Sequence, residues 1–365
     1  MVGSSRLLPS GSALGSEQDG PDAQAIFAAD DAAFTRPIPI IANRRLGETG
    51  VSVYPFALGT ARLAAMDEVA AGRILHRFAV RGGMLYDAVD EDGSGRSQEI
   101  LGGWLATNRP ASVLTTLVPS VAKDGGQASG ATRLVRAVEA ALGRLRREHI
   151  DLLMLDLRET GLGLEQQLAA AERLVAAGKV RHIGATGASG DELLEARVLA
   201  GNDMPRIIAV RAAWDITDKL SYGGDMRMVA AAQGLAVLPD ATAASVALAS
   251  PSLPQKVLAG WGRGARLSQA VNARVVKPER ERATDAFTGR GREHRIGVAL
   301  DRVSDELQVA PATTHLAWLL AKRGVVAPIV QVTRPEQVDT LMDAAAVRLT
   351  RAQMLELDRA VELLR

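Results

Sequence analysis

The sequence predicts an α/β protein, a (β/α)8 TIM barrel with an N-terminal β-hairpin and a C-terminal helix. Short apolar runs of strand length alternate with helical patterns along most of the chain. Strands that alternate with helices form parallel βαβ units, and eight such units favour a closed barrel. An open doubly wound sheet is the alternative, but no Gly-x-Gly-x-x-Gly turn follows the first long strand. The eight apolar runs end near Gly59, Asp87, Leu117, Asp156, Ala185, Arg211, Pro239 and Val332.

Three segments carry the spacing of an amphipathic helix. Ala131 to Arg147 places its apolar residues on one helical face, and Leu164 to Ala177 repeats the pattern. Gly178 follows the second segment, where a glycine commonly ends a helix. Thr350 to Leu364 predicts the C-terminal helix. Before the barrel, a glycine-containing turn separates the short runs 44–47 and 50–53, which indicates a β-hairpin.

Two segments fall outside the regular alternation. Residues 1–36 contain few apolar positions, so we expect a poorly ordered leader before a single barrel domain over 37–365. Residues 240–292 are rich in Ala, Ser, Gly, Arg and Pro, and they form an insertion between the seventh and eighth strands. In this architecture the insertion would lie over the C-terminal mouth of the barrel. The alternative is a surface insertion without a role at the site.

Composition excludes several classes of function. The 43 basic and 42 acidic residues give a formal net charge of +1, which predicts neither a nucleic-acid partner nor an anionic membrane. The chain has no cysteine, and only 3% of its residues are aromatic. No apolar run is long enough to span a bilayer, and no signal-peptide pattern is present. We therefore expect a soluble cytoplasmic protein that acts on a small molecule, with homo-oligomerisation left open.

Several motifs, in their order along the chain, resemble those of one known family. The stretch from Asp87 to Gly102 begins Asp-Ala-Val-Asp-Glu-Asp-Gly, which resembles the second-strand signature Asp-Thr-Ala-x-x-Tyr-Gly of the aldo-keto reductase superfamily. The resemblance runs from about Arg44 to the C-terminus, and it implies the same barrel fold. The other matching segments are the hairpin 44–53, the Gly-Thr of strand one at 59–60, a helix and strand at 141–152, a run at 178–184, and a strand and helix at 327–337.

The resemblance implies a catalytic tetrad of aspartate, tyrosine, lysine and histidine, which this chain largely lacks. Asp87 stands at the matching aspartate position, whereas the proton-donating tyrosine is replaced by Asp92. Leu117 replaces the lysine, and Asp156 replaces the histidine that orients the carbonyl. A carbonyl oxygen that gains negative charge needs a donor or a cation beside it. Leucine offers neither and carboxylates would repel that charge, so the family's usual reduction is disfavoured.

The positions that would hold a nicotinamide cofactor are altered as well. A Ser-Asn pair that grips the nicotinamide amide is replaced by Thr186-Gly187, a glutamine by Arg211, and a stacking ring by Asp240. We expect no cofactor, with NADP binding as the alternative. An anion could still bind where a helix begins after the eighth strand, although Pro335 also suits an ordinary helix start. If a cofactor is retained, its candidate ligands are Gly59, Thr60, Thr186, Thr333, Arg334 and Gln337.

The replacements suggest an acidic site at the barrel mouth. Carboxylates crowded within about 4–6 Å cannot all ionise cheaply, so one of them would be protonated and another ionised. We therefore assign catalytic roles to Asp87, Asp92 and Asp156, and substrate contacts to Arg211, Trp214 and Asp240. The alternatives are ion pairing for Asp87 and Arg211, a solvated loop for Asp92, and packing for Trp214. No residues show a metal-ligand spacing, so no metal site is predicted.

Three functions remain compatible with the sequence. The first is a non-redox acid/base enzyme of the dehydratase, cyclase or isomerase type, acting on a small metabolite. The second is a divergent NAD(P)H-dependent aldo-keto reductase whose proton donor lies elsewhere. The third is a binding or regulatory module without catalysis, because a fold can lose its site and remain folded.

Overall fold

The computed structural model describes residues 43–89, 94–110, 114–119, 130–158, 162–216, 224–241 and 294–362. A two-stranded antiparallel hairpin, β1 (Arg44–Arg45) and β2 (Ser52–Val53), precedes the barrel. The barrel strands are β3 (Ala57–Gly59), β4 (Leu85–Asp87), β5 (Leu114–Leu117), β6 (Ile150–Asp156), β7 (Val180–Thr186), β8 (Ile207–Ala212), β9 (Ala236–Pro239) and β10 (Ile329–Gln331).

Helices separate most of these strands. They are α1 (Glu68–Val80), α2 (Arg96–Asn108), α3 (Gly130–Leu145), α4 (Leu164–Ala176), α5 (Gly190–Leu199), α6 (Gly224–Ala232), α7 (described over 294–307), α8 (Pro311–Leu320), α9 (Pro335–Ala344) and α10 (Arg351–Glu362). Short 3-10 turns occupy Ala61–Ala65 and Ala200–Asn202.

The eight barrel strands form one parallel sheet whose order begins with β10 and then follows the chain from β3 to β9. Each neighbouring pair in this order is parallel. Isolated bridges, from Val237 to Val325 and from Asp240 to Ile329, join the two ends of the sheet. The predicted (β/α)8 barrel is therefore confirmed.

The observed bounds agree with the sequence pattern to within one or two residues at most positions. The strands expected to end near Ala185, Arg211 and Val332 end at Thr186, Ala212 and Gln331. The helix expected from Ala131 begins at Gly130 and ends at Leu145, because Arg146 takes a positive φ of 53°. Gly178 has a φ of 70°, the left-handed conformation that commonly ends a helix.

Alternation along the strands separates an inner face from an outer one. One buried cluster fills the barrel interior and contains Leu85, Leu152, Met154, Ala209 and Leu238. Two hairpin residues, Leu46 and Val53, belong to the same cluster, so the hairpin closes the N-terminal end of the barrel. A larger cluster lies between the strands and the surrounding helices. On each strand, the side chain two residues after the last member of the interior cluster consequently points into the C-terminal mouth.

Some expectations fall on residues that the structure does not describe. These are the leader predicted for residues 1–36, the candidate Asp92, and the predicted insertion apart from Asp240 and Ala241. Among the described residues, no helix is both long enough and apolar enough to cross a membrane.

Candidate functional site

Four charged residues on the inner face meet at the C-terminal mouth of the barrel. Asp87 follows Leu85 by two residues, Asp156 follows Met154, Arg211 follows Ala209 and Asp240 follows Leu238. Strand register also places Asp156, Thr186 and Arg211 in one row across β6, β7 and β8. Period-two alternation therefore positions each charge directly above the apolar interior.

Arg211 bridges two carboxylates at the centre of the mouth. Its Nη1 donates to both oxygens of Asp87, at 3.1 and 3.0 Å. Its Nε lies 3.0 Å from each oxygen of Asp240, and Nη2 lies 2.7 Å from Oδ1 of Asp240. The Arg211 side chain is 11% exposed, that of Asp240 is 29% exposed, and that of Asp87 is fully buried. A planar guanidinium suits this arrangement because its two edges can each hold one carboxylate.

Two threonines also form hydrogen bonds with Asp87. Thr116 donates its hydroxyl to Oδ1 of Asp87 at 2.6 Å, and Thr60 donates its hydroxyl to the Asp87 carbonyl at 2.9 Å. Leu117, which stands where the resemblance places a lysine, packs in the outer cluster. Among the described residues, Arg211 on β8 supplies a positive charge beside Asp87, where the resemblance would place a lysine on β5.

Asp156 forms a second ion pair at the same mouth. Its two oxygens accept from Nε and Nη2 of Arg158, each at 2.9 Å, and Oδ1 also accepts from the Arg158 backbone N–H at 3.1 Å. The hydrogen bond to Asp156 raises the pKa of Arg158, while burial acts in the opposite direction. The charges of Arg211 and Asp240 also act on Arg158, so the second pair lies near the first.

The expected pair of one protonated and one ionised carboxylate stays a prediction, and the described carboxylates at the mouth pair with arginines. Asp87 and Asp240 are separated by a guanidinium, and Asp156 has its own arginine. Each of these carboxylates is therefore held by an arginine. Asp87 is fully buried beside Arg211, and its catalytic role stays a prediction.

Trp214 packs in the protein interior and does not lie at the centre of the mouth. The residue is 6% exposed, and its ring meets the Trp318 ring edge to face, with 6.5 Å between the centroids. This geometry is typical of aromatic pairs in a core. Trp214 therefore packs against Trp318, and its contact with a substrate stays a prediction.

Among the cofactor candidates at the ends of β3 and β7, other side chains fill the space beside the glycines, and the Thr60 hydroxyl already donates a hydrogen bond. A Cβ on Gly59 would lie 2.3 Å from the side-chain nitrogen of Gln331, so this amide covers Gly59. The Thr60 hydroxyl is engaged by the Asp87 carbonyl, and Thr186 is 9% exposed. Gly187 is covered by Arg158, whose Cγ would lie 2.5 Å from an added Cβ.

The remaining cofactor candidates, Thr333, Arg334 and Gln337, lie at the start of α9. The Gln337 side chain caps this helix start. Oε1 of Gln337 accepts from the backbone N–H of Thr333 at 2.6 Å and of Arg334 at 2.9 Å. The same oxygen lies 3.2 Å from the Thr333 hydroxyl. These three donors thus have an internal acceptor, which a phosphate would have to displace in order to bind them.

Three residues at the mouth were not among the sequence candidates. Thr116 could have been found from strand alternation, since it stands two residues beyond Leu114 on the inner face. Arg158 follows Asp156 in the sequence, but an exposed arginine after a strand is an ordinary surface residue. No feature of the sequence identified Gln331, at the end of β10, as a residue of the mouth. In the described part of the chain, no cluster of three acidic or histidine side chains could hold a metal ion.

Comparison with known proteins identifies the family. The model of the Aldo/keto reductase family matches residues 55–362, and the chain belongs to this family. Norsolorinic acid reductase stcV of Emericella nidulans is 26% identical over 86% of this chain and 79% of its own length. The uncharacterized oxidoreductase YrpG of Bacillus subtilis is 26% identical over 83% of this chain and 91% of its own. An aryl-alcohol dehydrogenase [NADP(+)] of Phanerodontia chrysosporium is 22% identical over 84% of this chain and 79% of its own.

Proposed function

We propose that this family member is a non-redox enzyme that moves a proton on a small carbonyl compound, as an isomerase or a lyase does. The observation that carries the proposal is the Arg211 guanidinium, held between Asp87 and Asp240 at the mouth. The two carboxylates fix the plane of the guanidinium, and 11% of the Arg211 side chain is exposed. A fixed cation at this place can stabilise negative charge on a substrate oxygen.

The proposed chemistry needs a base and a cation but no hydride. An ionised carboxylate removes a proton from the carbon next to the carbonyl, and the electron pair moves to the carbonyl oxygen, where a guanidinium stabilises the enolate. Return of the proton to another carbon completes an isomerisation, and loss of a leaving group from the next carbon completes an elimination. Asp156 is the base in this proposal, because its side chain is 33% exposed while Asp87 is buried.

The nicotinamide end of the family's cofactor does not fit the residues present. Arg158 covers Gly187, and the Gln331 amide covers Gly59. Where the resemblance places a stacking ring and a glutamine, this chain has the Asp240–Arg211 ion pair. A neutral aromatic ring would have to desolvate these charges without satisfying them, which is unfavourable. The proposed chemistry therefore uses no nicotinamide.

The test is proton exchange in D2O without any added cofactor. A panel of small keto and hydroxy-keto acids is followed by NMR, and we expect enzyme-dependent deuterium incorporation beside the carbonyl of at least one of them. Asp156→Asn should abolish the exchange, since the amide cannot accept the proton. Asp301→Asn, which removes an exposed carboxylate from α7, should exchange at the wild-type rate. Equal exchange by the two variants would reject the role of Asp156.

A second candidate, an NAD(P)H-dependent reductase, is favoured by the similarity to proteins named as reductases and dehydrogenases. Titration with NADPH, followed by nicotinamide fluorescence, separates the two candidates. The non-redox proposal expects no saturable binding. Tight binding together with NADPH oxidation in the presence of a carbonyl substrate would replace it with the reductase. Absence of both NADPH binding and proton exchange would favour the third candidate, a module without catalysis.

A further inference from the structure

A second concave site lies on the side of the barrel, beside β9. The cavity has a volume of about 650 Å³. Its walls come from α6, the N-terminal end of β9, the C-terminal part of α8 with the residues that follow it, and α10. This volume is within the range of pockets that hold small organic ligands. None of the residues that line the cavity belongs to the Asp87–Arg211–Asp240 network.

The inner wall of the cavity is aromatic and aliphatic. Trp214 and Trp318 line it and pack against each other edge to face. Leu235, Val237 and Val326 add buried apolar surface. Such a wall favours a ligand with a flat apolar body, because that body can leave water without losing hydrogen bonds.

The outer rim of the cavity is cationic. Arg45, Arg227, Lys322 and Arg323 line it, against the single carboxylate of Asp358. Asp358 is already engaged, because it accepts from Nε1 of Trp318 at 2.8 Å and pairs with Lys322. The Lys322 ammonium also lies 4.4 Å from the centre of the Trp318 ring.

The three arginines of this rim carry charge that the described residues do not neutralise. Arg45, Arg227 and Arg323 are exposed and make no ion pair within the part of the chain that the structure describes. The whole chain has a formal net charge of only +1, so the concentration of positive charge at the cavity is local. A concave site with one sign of charge attracts the opposite sign.

We propose that this cavity binds a small organic anion, an aromatic carboxylate or sulfonate in chemical class. The flat body of the ligand lies against Trp214 and Trp318, and its acidic group faces Arg227 and Arg323 at the rim. The site is independent of the chemistry proposed for the mouth, so either assignment can fail without the other.

Two fluorescent probes with one aromatic frame test the proposal. 8-Anilinonaphthalene-1-sulfonate carries the anion, and N-phenyl-1-naphthylamine is its neutral counterpart. We expect saturable binding of one sulfonate probe per chain, at least about tenfold tighter than that of the neutral probe. Equal affinity for the two probes would overturn the anion specificity.

Matched variants locate the probe. The double variant Arg227→Gln, Arg323→Gln should weaken sulfonate binding by about tenfold or more and leave the neutral probe unaffected. Ala231→Trp, which fills the cavity from α6, should weaken both probes. Arg136→Gln removes an exposed arginine on α3, outside the cavity, and should change neither. Unchanged sulfonate binding in the double variant and in Ala231→Trp, with wild-type melting temperatures, would reject the site.

Discussion

Asp87 shows how one buried charge constrains distant residues. Its carboxylate is fully buried, and transfer of an unpaired carboxylate out of water is highly unfavourable. The apolar Leu117 cannot neutralise it, so the compensating cation comes from Arg211, 124 residues further along the chain. Arg211 in turn contacts Asp240, which is partly exposed. The three residues therefore act as one electrostatic unit, and a change in one alters the other two.

Replacement of Arg211 by leucine should strongly destabilise the protein. Asp87 would stay buried without its guanidinium, and the loss of one partner from a buried pair lowers the free energy of unfolding by about 3 kcal/mol or more. Chemical denaturation measures the change. Asp87→Asn added to Arg211→Leu should recover part of the loss, because the amide carries no charge. Arg158→Leu breaks a pair whose arginine is 68% exposed, and it should change stability by less than about 1 kcal/mol. Equal losses for the two single variants would contradict this account.

At the scale of elements, local spacing in the sequence predicts most of the barrel. Alternation of apolar and polar residues identifies both the strand ends and the inward direction of Asp87, Asp156 and Arg211. Helical periodicity likewise identifies α3, α4 and α10. Contacts between elements are less visible, since they depend on where two backbones cross. Gly102 is an example, because α2 and α3 approach closely at this residue. Nothing in the sequence distinguishes Gly102 from its neighbour Gly103.

The two glycines of α2 should respond to alanine in opposite ways. A Cβ on Gly102 would lie 2.2 Å from the backbone oxygen of Arg144 and 2.7 Å from Leu145, so the two helices would have to separate. We expect Gly102→Ala to lower the free energy of unfolding by about 1–3 kcal/mol. Gly103 has nothing within 4 Å of an added Cβ, and Gly103→Ala should raise it by about 0.5–1 kcal/mol through helix propensity. Thermal melting of both variants checks the sign, and a stabilising Gly102→Ala would refute the close approach.

At the scale of the whole molecule, contacts between the two ends of the barrel domain hold the ring closed. Tyr54, just after the hairpin, donates its hydroxyl to the carbonyl of Met342 in α9 at 3.2 Å, across 288 residues of sequence. Burial raises the pKa of Tyr54 to about 12. Burial also raises the pKa of Tyr86, whose hydroxyl has no hydrogen-bond partner among the described residues. Both tyrosines are thus buried, but they differ in their hydrogen bonding.

Alkaline pH should weaken the fold through both tyrosines. Because the pKa of Tyr54 is higher in the folded chain than its ordinary value near 10, stability is complete below pH ~10 and declines as the pH rises towards ~12. Tyr54→Phe should reduce this decline and lower neutral stability by about 1 kcal/mol through the lost hydrogen bond. Tyr86→Phe should reduce the decline without lowering neutral stability, since it removes a buried hydroxyl that lacks a partner. Denaturation curves from pH 8 to pH 12 measure these effects, and an equal neutral loss in both variants would contradict the hydrogen-bond assignment.

The sequence by itself determined the barrel, the order of its strands and the inward direction of Asp87, Asp156, Arg211 and Asp240 at its mouth. These features follow from local spacing and from residue identity at single positions. Only the tertiary structure decided how the mouth charges are paired, that Asp87 is buried, and that Trp214 packs against Trp318. Pairing depends on strand tilt and side-chain rotamers, which bring together residues more than a hundred positions apart. An acidic cluster in the sequence therefore becomes, in the fold, a set of carboxylates organised around two arginines.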